Sequence, residues 1–355
     1  MLVTILLLIL GLALLIGGGE LLVRGAVRLA DCLGVSPLIV SIVIIGFGTS
    51  APELAASIQA SRIGSPGIAW GNVIGSNLAN SLLILGATAT VGRLAVTRAP
   101  LWRDGGLVLV ATLMLWILAA DGNIGRGWGI AMVALLISYL TYAVIQEKRS
   151  SGATAAGDAG IAHAGSRGVG EGPAEALDDV TDDAREIAIE PETTGLAAIY
   201  YNYPMASSIV ILLIGLGMIL TGGSLLVEQA VAIAGAFGLS ETLIGITVIA
   251  MGTSAPELVT SLVAAWRNQG EIAVGNVMGS NIYNILGIGG TVAILSPNGF
   301  PDALVTPDLP ILMMSAILMI LCAATHYSIF RREGVLLLLC YFGYIGWKVM
   351  TIAWA

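Results

Sequence analysis

Two glutamates carry the chemistry that this chain offers. Glu53 and Glu257 each lie in the middle of an otherwise uncharged apolar segment, inside the same seven-residue sequence GTSAPEL, at Gly48 to Leu54 and again at Gly252 to Leu258. An ionisable group in such a setting costs a few kcal/mol or more unless it meets a partner. Neither segment holds a Lys or Arg that could neutralise its glutamate. Two such carboxylates repel unless a cation stands between them, and hard oxygen ligands of this kind suit Ca²⁺. Pro52 and Pro256 precede the glutamates. A proline inside a helix frees the carbonyl four residues back, here Gly48 and Gly252. Freed carbonyls are tolerated in a membrane only where they face protein or a hydrated cavity, and there they become cation ligands. Thr49 and Glu53 are four apart, as are Thr253 and Glu257, so each pair shares one helical face.

A second duplicated segment follows each glutamate: GNVIGSN at Gly71 to Asn77 and GNVMGSN at Gly275 to Asn281. Ser76 with Asn80, and Ser280 with Asn284, offer a hydroxyl and an amide oxygen on one helical face. A lone membrane serine usually bonds back to its own helix, but duplication beside a duplicated glutamate points to a binding face. Gly71, Gly75, Gly275 and Gly279 recur every four residues, the spacing of close helix packing. Glu20, Asp31 and Glu228 sit near helix ends without a charged counterpart of the same sign, Glu20 aligning with Ser224 and Glu228 with Arg24, and are read as interfacial or structural. Cys32, Cys322 and Cys340 are scattered, and His163 and His326 are far from them, a spacing that speaks against a zinc site or a thiol catalyst.

The elements that position these residues follow from hydropathy and the repeat. Hydrophobic residues make up 57% of the 355 and charged ones 11%, against about 25% charged in a soluble domain, which excludes an ordinary water-soluble fold. Apolar runs of the length a bilayer requires, about 20 residues, recur along the chain. They predict ten spans, near 2–30, 37–61, 67–91, 104–120, 127–146, 206–234, 240–265, 271–295, 307–328 and 334–354. The first is read as a retained helix, since no basic residue precedes it and no cleavage site is evident. The interval 147–203 is Gly-, Ala- and acid-rich, with eleven acidic residues against four basic ones, and reads as a solvated linker. Its run Asp178, Asp179, Asp182, Asp183 lacks the glycine-turn pattern of an EF-hand loop.

Both duplicated segments recur at an offset of 204, as do Asn80 on Asn284 and Leu21 to Val23 on Leu225 to Val227. Five spans separate equivalent positions, so the second copy enters the membrane from the opposite face. The expected fold is therefore an all-α integral membrane protein of ten transmembrane helices in two inverted five-helix repeats, 1–146 and 204–355, joined by the linker 147–203. Transporters use inverted repeats to build a midplane site that is exposed alternately to the two sides. Twelve of the fifteen Lys and Arg fall on one side if the N-terminus is outside, which predicts outside termini and a cytoplasmic linker.

The duplicated GTSAPE and GNVxGSNxxN segments resemble the alpha repeats of the cation/calcium exchanger superfamily, specifically its prokaryotic sodium/calcium exchangers, over essentially the whole chain except the linker. The resemblance implies one Ca²⁺ site and several Na⁺ sites at the centre. It implies that Glu53, Glu257 and the main-chain oxygens of Thr49 and Thr253 ligate Ca²⁺. It implies Na⁺ ligation by Ser50, Ser76, Ser254 and Ser280 and by the carbonyls of Gly46 and Ala250, with Asn80 completing the central position. Asn284 stands where archaeal relatives and the potassium-dependent branch often carry an aspartate, so the centre holds two carboxylates rather than three. By the same resemblance the first and sixth spans, with their glycine runs, are the moving parts.

The expected function is thus Ca²⁺/Na⁺ antiport, with the two ions as substrates, the bilayer as surroundings, and neither a cofactor, a nucleic acid nor an obligatory protein partner. The alternatives are a Ca²⁺/H⁺ antiporter, against which the hydroxyl set argues, and a passive channel, against which a chain carrying its own inverted halves argues. An enzyme has no support: there is no phosphate loop, nucleophile elbow or metal-ligand His pair.

Overall fold

The computed structural model describes residues 2–122, 124–165, 203–236 and 250–353. These residues are almost entirely helical. The first helix, α1 (Leu2–Leu33), is a continuous apolar stretch closed by Gly34, whose φ of +63° is the left-handed conformation that a helix end favours. A bent pair follows, α2 (Pro37–Thr49) and α3 (Ala51–Arg62), meeting at 41°. The first half continues with α4 (Pro66–Val91), α5 (Arg98–Ala120) and α6 (Arg126–Gly165). After α7 (Pro204–Ala236) come the short α8 (Ala250–Thr253), then α9 (Ala255–Trp266), α10 (Gly270–Leu295), α11 (Asp302–Ala324) and α12 (Arg331–Ala353). Among the described residues, eight helices are long and apolar enough to cross a membrane, and the α2–α3 pair passes the same test as one broken element. The protein is a multi-pass membrane protein.

Eight of the predicted spans correspond to helices of membrane-crossing length and a ninth, 37–61, to the broken α2–α3 pair; the span expected at 307–328 is found at Asp302–Ala324, and there are three further differences. The helix predicted from 127 runs on through Gly165, past the expected start of the linker at 147, because nothing between Gln146 and Gly165 is a proline and alanines dominate the overrun. The fourth span begins at Arg98, six residues before the expected 104, since a π-helical turn at Leu101–Gly105 carries the helix across charged residues. The span predicted at 240–265 falls partly outside the described residues, and only its second portion, α8 and α9, is seen; the acidic run 178–183 lies wholly outside them.

The repeat is visible in the element boundaries. Shifting α3, α4 and α5 by 204 positions lands on the bounds of α9, α10 and α11. π-helical turns interrupt α4 at Ala79–Ile84 and α10 at Tyr283–Gly289, again in register. Such turns insert a residue into the helical ladder and are frequent at functional sites. α4 and α10 are mostly buried, whereas α1, α6, α7 and α12 keep most of their length outward. Their outward side chains, among them Leu6, Ile9, Leu213, Ile137 and Leu339, are exposed apolar groups suited to lipid.

Close approaches of backbone hold the bundle together. α1 crosses α7 at Gly18 and Gly215, and again at Gly11 and Gly222. A methyl group at Gly215 would lie 2.5 Å from the Leu22 nitrogen and 2.8 Å from the Gly18 carbonyl oxygen. Gly275 and Gly279 press α10 against α2 near Leu38 and Ile42, the close packing expected of them. A two-residue ladder pairs Leu94 with Ile329 and Ala95 with Ser328, stitching the loop before α5 to the loop before α12. Its repeat-related counterpart is the hydrogen bond from Asn298 N–H to the Ile124 carbonyl, 2.9 Å.

Candidate metal centre

The two proline motifs do not kink continuous helices; they break them. The backbone leaves helical geometry at Ser50 (φ −82°, ψ 4°) and at Ser254 (φ −89°, ψ 6°), and a new helix starts at once. Pro52 and Pro256 fall in the first turn of that new helix, where a missing N–H costs nothing because the first four N–H groups have no intrahelical acceptor. The expectation of a proline inside an intact helix is corrected accordingly. The consequence for the site is greater than a kink would give. Glu53 and Glu257 sit in the first turn of α3 and α9, where the partial positive charge of a helix N-terminus favours a carboxylate.

Each glutamate is served by the opposite half. Ser50 Oγ donates to Glu257 Oε1 at 3.2 Å, and Ser254 Oγ donates to Glu53 Oε1 at 3.1 Å. Two hydroxyls and two carboxylates thus close a reciprocal set across the repeats. Glu53 is 1% exposed and Glu257 0%. Neither forms an ion pair with any described residue. The second oxygen of each carboxylate has no hydrogen-bond partner among the described residues, and the same holds for the side-chain oxygen and nitrogen of Asn80 and Asn284 and the hydroxyl of Ser280. Buried polar atoms are almost always paired. The unpaired oxygens among these atoms, on Glu53, Glu257, Asn80, Asn284 and Ser280, are ligands of the kind a hard cation takes.

The remaining predicted residues fall as follows. Thr49 is fully buried and donates to Asn276 Oδ1 at 3.2 Å. Thr253 ends α8, is half-buried and is engaged in contacts of its own. Ser76 is buried on α4 one turn before Asn80. Gly46 lies against α10, where a methyl group on it would stand 3.2 Å from the Ser280 nitrogen, so these two predicted Na⁺ ligands are neighbours. The Gly46 carbonyl also accepts from Ser50 N–H at 3.1 Å. Ala250 opens α8, and its side chain lies outside the described set. Among the described residues no group of three or more His, Cys, Asp or Glu is assembled, in keeping with a centre of two carboxylates supplemented by neutral oxygens.

Two pairs of residues went unnoticed in the sequence. Asn72 and Asn276, inside the duplicated GNV segment, hydrogen-bond to the glutamate helices. Asp104 and Asp308, also 204 apart, are buried at the starts of α5 and α11. Asp104 pairs with Arg103 and accepts from Tyr139, while Asp308 accepts from Tyr344 at 2.9 Å and from Lys348 at 2.7 Å. For the aspartates the signal was the offset itself, applied to positions beyond the two long motifs.

Fold and site together define a multi-pass membrane protein with an internal acidic centre assembled from two related segments. The family model described as sodium/calcium exchanger protein matches residues 3–145 and 207–350, and the chain belongs to that family. It is 33% identical over 348 residues to the putative antiporter CaxA of Alkalimonas amylolytica, covering 97% of this chain and 98% of the relative. The sodium/calcium exchanger MaX1 of Methanosarcina acetivorans is 29% identical over 343 residues, covering 97% of each chain. The structure of the sodium-calcium exchanger NCX_Mj soaked with Na⁺ and Ca²⁺ superposes with a TM-score of 0.76 at 28% identity, covering 97% of this chain and 98% of that one.

Proposed function

We propose that the protein is a secondary active antiporter that exchanges Ca²⁺ for Na⁺ across the membrane by alternating access. The observation that carries this reading is the reciprocal pair of bonds between Ser50 and Glu257 and between Ser254 and Glu53, which leaves one oxygen of each buried carboxylate without a described partner. Membership of the sodium/calcium exchanger family and the likeness to NCX_Mj support Na⁺ and Ca²⁺ as the ions. In this reading Ca²⁺ is held by Glu53, Glu257 and the main-chain oxygens of Thr49 and Thr253. Na⁺ occupies flanking positions offered by Ser50, Ser76, Ser254, Ser280 and the carbonyls of Gly46 and Ala250, with Asn80 and Asn284 at the centre. These ions are cargo, and the reading needs no cofactor, no catalytic residue and no partner protein.

The architecture that serves this function is ten spans in two inverted halves, 1–146 and 204–355, with α2–α3 as one broken span and α8–α9 as part of its counterpart. Both termini lie outside and the segment 147–203 is a cytoplasmic tether, overlapped at its start by the end of α6. An empty centre leaves two carboxylates facing each other in a poorly polarisable medium. Only the charge-compensated centre passes easily between the two states, which makes exchange obligatory and suppresses leak.

The test is ⁴⁵Ca²⁺ uptake into vesicles reconstituted with the purified protein, driven by an outward Na⁺ gradient, with a parallel set driven by a pH gradient. Uptake that requires Na⁺ supports the proposal. Uptake that follows the proton gradient alone moves the function to Ca²⁺/H⁺ antiport, and flux independent of any counter-ion gradient makes the protein a channel.

A further inference from the structure

The duplicated GNV segments supply two asparagines that the ion centre itself leaves unused. Asn72 Nδ2 donates to the main-chain carbonyl of Glu53 at 3.1 Å and to Ser57 Oγ at 2.9 Å. Asn276 Nδ2 repeats the arrangement, reaching the carbonyl of Glu257 at 3.2 Å and Ser261 Oγ at 3.0 Å. Asn276 also accepts the Thr49 hydroxyl through Oδ1 at 3.2 Å. A single amide, 0% exposed, therefore runs from the helix break of the first half to the glutamate of the second.

An amide is planar, so its donor and acceptor keep a fixed geometry. In an uninterrupted helix the carbonyl of a residue bonds only to the N–H four residues on. Here each glutamate carbonyl takes an additional side-chain donor from the following span, which draws the first turn of α3 onto α4 and the first turn of α9 onto α10. The glutamate side chain leaves the same Cα, so the carboxylate is carried along. Ser57 and Ser261, both 0% exposed, complete each anchor one turn further on.

We infer that Asn72 and Asn276 are positioning residues of the ion centre. Each locks its own half's glutamate helix to the following span, and Asn276 in addition sets the spacing between Thr49 and Glu257 across the halves. The inference rests on the reading of Glu53 and Glu257 as the ion centre. Neither amide touches the ion, so removing one changes how tightly ions are held while the rate of the loaded protein persists.

The experiment measures Na⁺-driven ⁴⁵Ca²⁺ uptake into vesicles for wild type, Asn276→Ala, Asn276→Asp, Asn72→Ala and Glu257→Gln, each normalised to folded protein. Asn276→Ala removes the bonds to Thr49, to the Glu257 carbonyl and to Ser261. At about 1 kcal/mol net for a hydrogen bond, the half-saturating Ca²⁺ concentration rises roughly tenfold or more, and the maximal rate stays within about twofold of wild type. Asn276→Asp keeps the shape and the acceptor but loses both donors, and shifts the half-saturating concentration in the same direction. It decides the matter if the alanine variant does not fold, and Asn72→Ala decides it if neither does. An unchanged half-saturating concentration, with only yield or thermal stability reduced, makes the asparagines purely structural and overturns the inference. If that result accompanies an inactive Glu257→Gln variant, the ion centre stands and the positioning role alone fails. Full transport by Glu257→Gln overturns both.

Discussion

Replacing Glu257 by Gln keeps the shape of the side chain and its ability to accept from Ser50, and removes one unit of charge from the proposed centre. The size of the effect depends on how wet the centre is. A carboxylate oxygen bound to Ca²⁺ lies about 2.4 Å from it. For one carboxylate charge facing the two charges of Ca²⁺, at an effective dielectric constant of about 20 the lost attraction is about 14 kcal/mol; at the value for bulk water, about 80, it is about 3.5 kcal/mol. Glu257 is 0% exposed, Ser50, which bonds to its carboxylate, is 3% exposed, and Asn276, which bonds to its carbonyl, is 0% exposed, so the first figure applies. It corresponds to a weakening of Ca²⁺ binding by about 10¹⁰-fold, the second to about 300-fold. The assay is Na⁺-driven ⁴⁵Ca²⁺ uptake over a range of external Ca²⁺ up to tens of millimolar, with size-exclusion profiles checking that the variant folds. Uptake should be undetectable throughout that range. A shift of only about 300-fold would mean that water screens the centre and that its burial has been misread, and an unaltered curve would remove Glu257 from the site.

Two further outcomes test the scaffold. Gly215→Ala places a methyl group 2.5 Å from the Leu22 nitrogen, so the α1–α7 crossing must spread at a cost of about 1–3 kcal/mol; thermal inactivation in detergent should begin at lower temperature, and an unchanged profile would show that the crossing is loose. Asp308→Asn takes the ionic partner from Lys348, which is 28% exposed while Asp308 is 1% exposed, and should destabilise by about 2 kcal/mol. Adding Lys348→Met should restore much of that loss, and a double variant no more stable than the single one would refute the pairing.

The long apolar runs made the helices legible, because a bilayer leaves backbone groups few other ways to be satisfied. Glu53 and Glu257 were legible as a pair because a charge in an apolar run has few uses and because GTSAPEL occurs twice. Their reciprocal bonding to Ser254 and Ser50 was not, since no spacing within one half reports what the other half brings. The break at Ser50 was not legible either, since a proline is compatible both with an intact helix that has lost one hydrogen bond and with the first turn of a new helix. Asn72 and Asn276 lay in plain view inside a quoted motif, but their partners are backbone carbonyls, which carry no sequence signature. Asp104 beside Arg103, and Asp308 between Pro307 and Leu309, lie near helix starts, where an acid looks like an ordinary interfacial group. Burial and a tyrosine from a later helix distinguish them.

The crossed serine–glutamate bonds also bear on how the chain is made. Synthesis runs from the N-terminus, so Glu53 is committed to its helix long before Ser254 exists to donate to it. Until the second segment arrives, the first half carries a charge with its hydrogen-bond donor still on the ribosome. A chain arrested after α6 would keep that defect permanently. Completion of the proposed ion centre therefore waits on the second half of the chain.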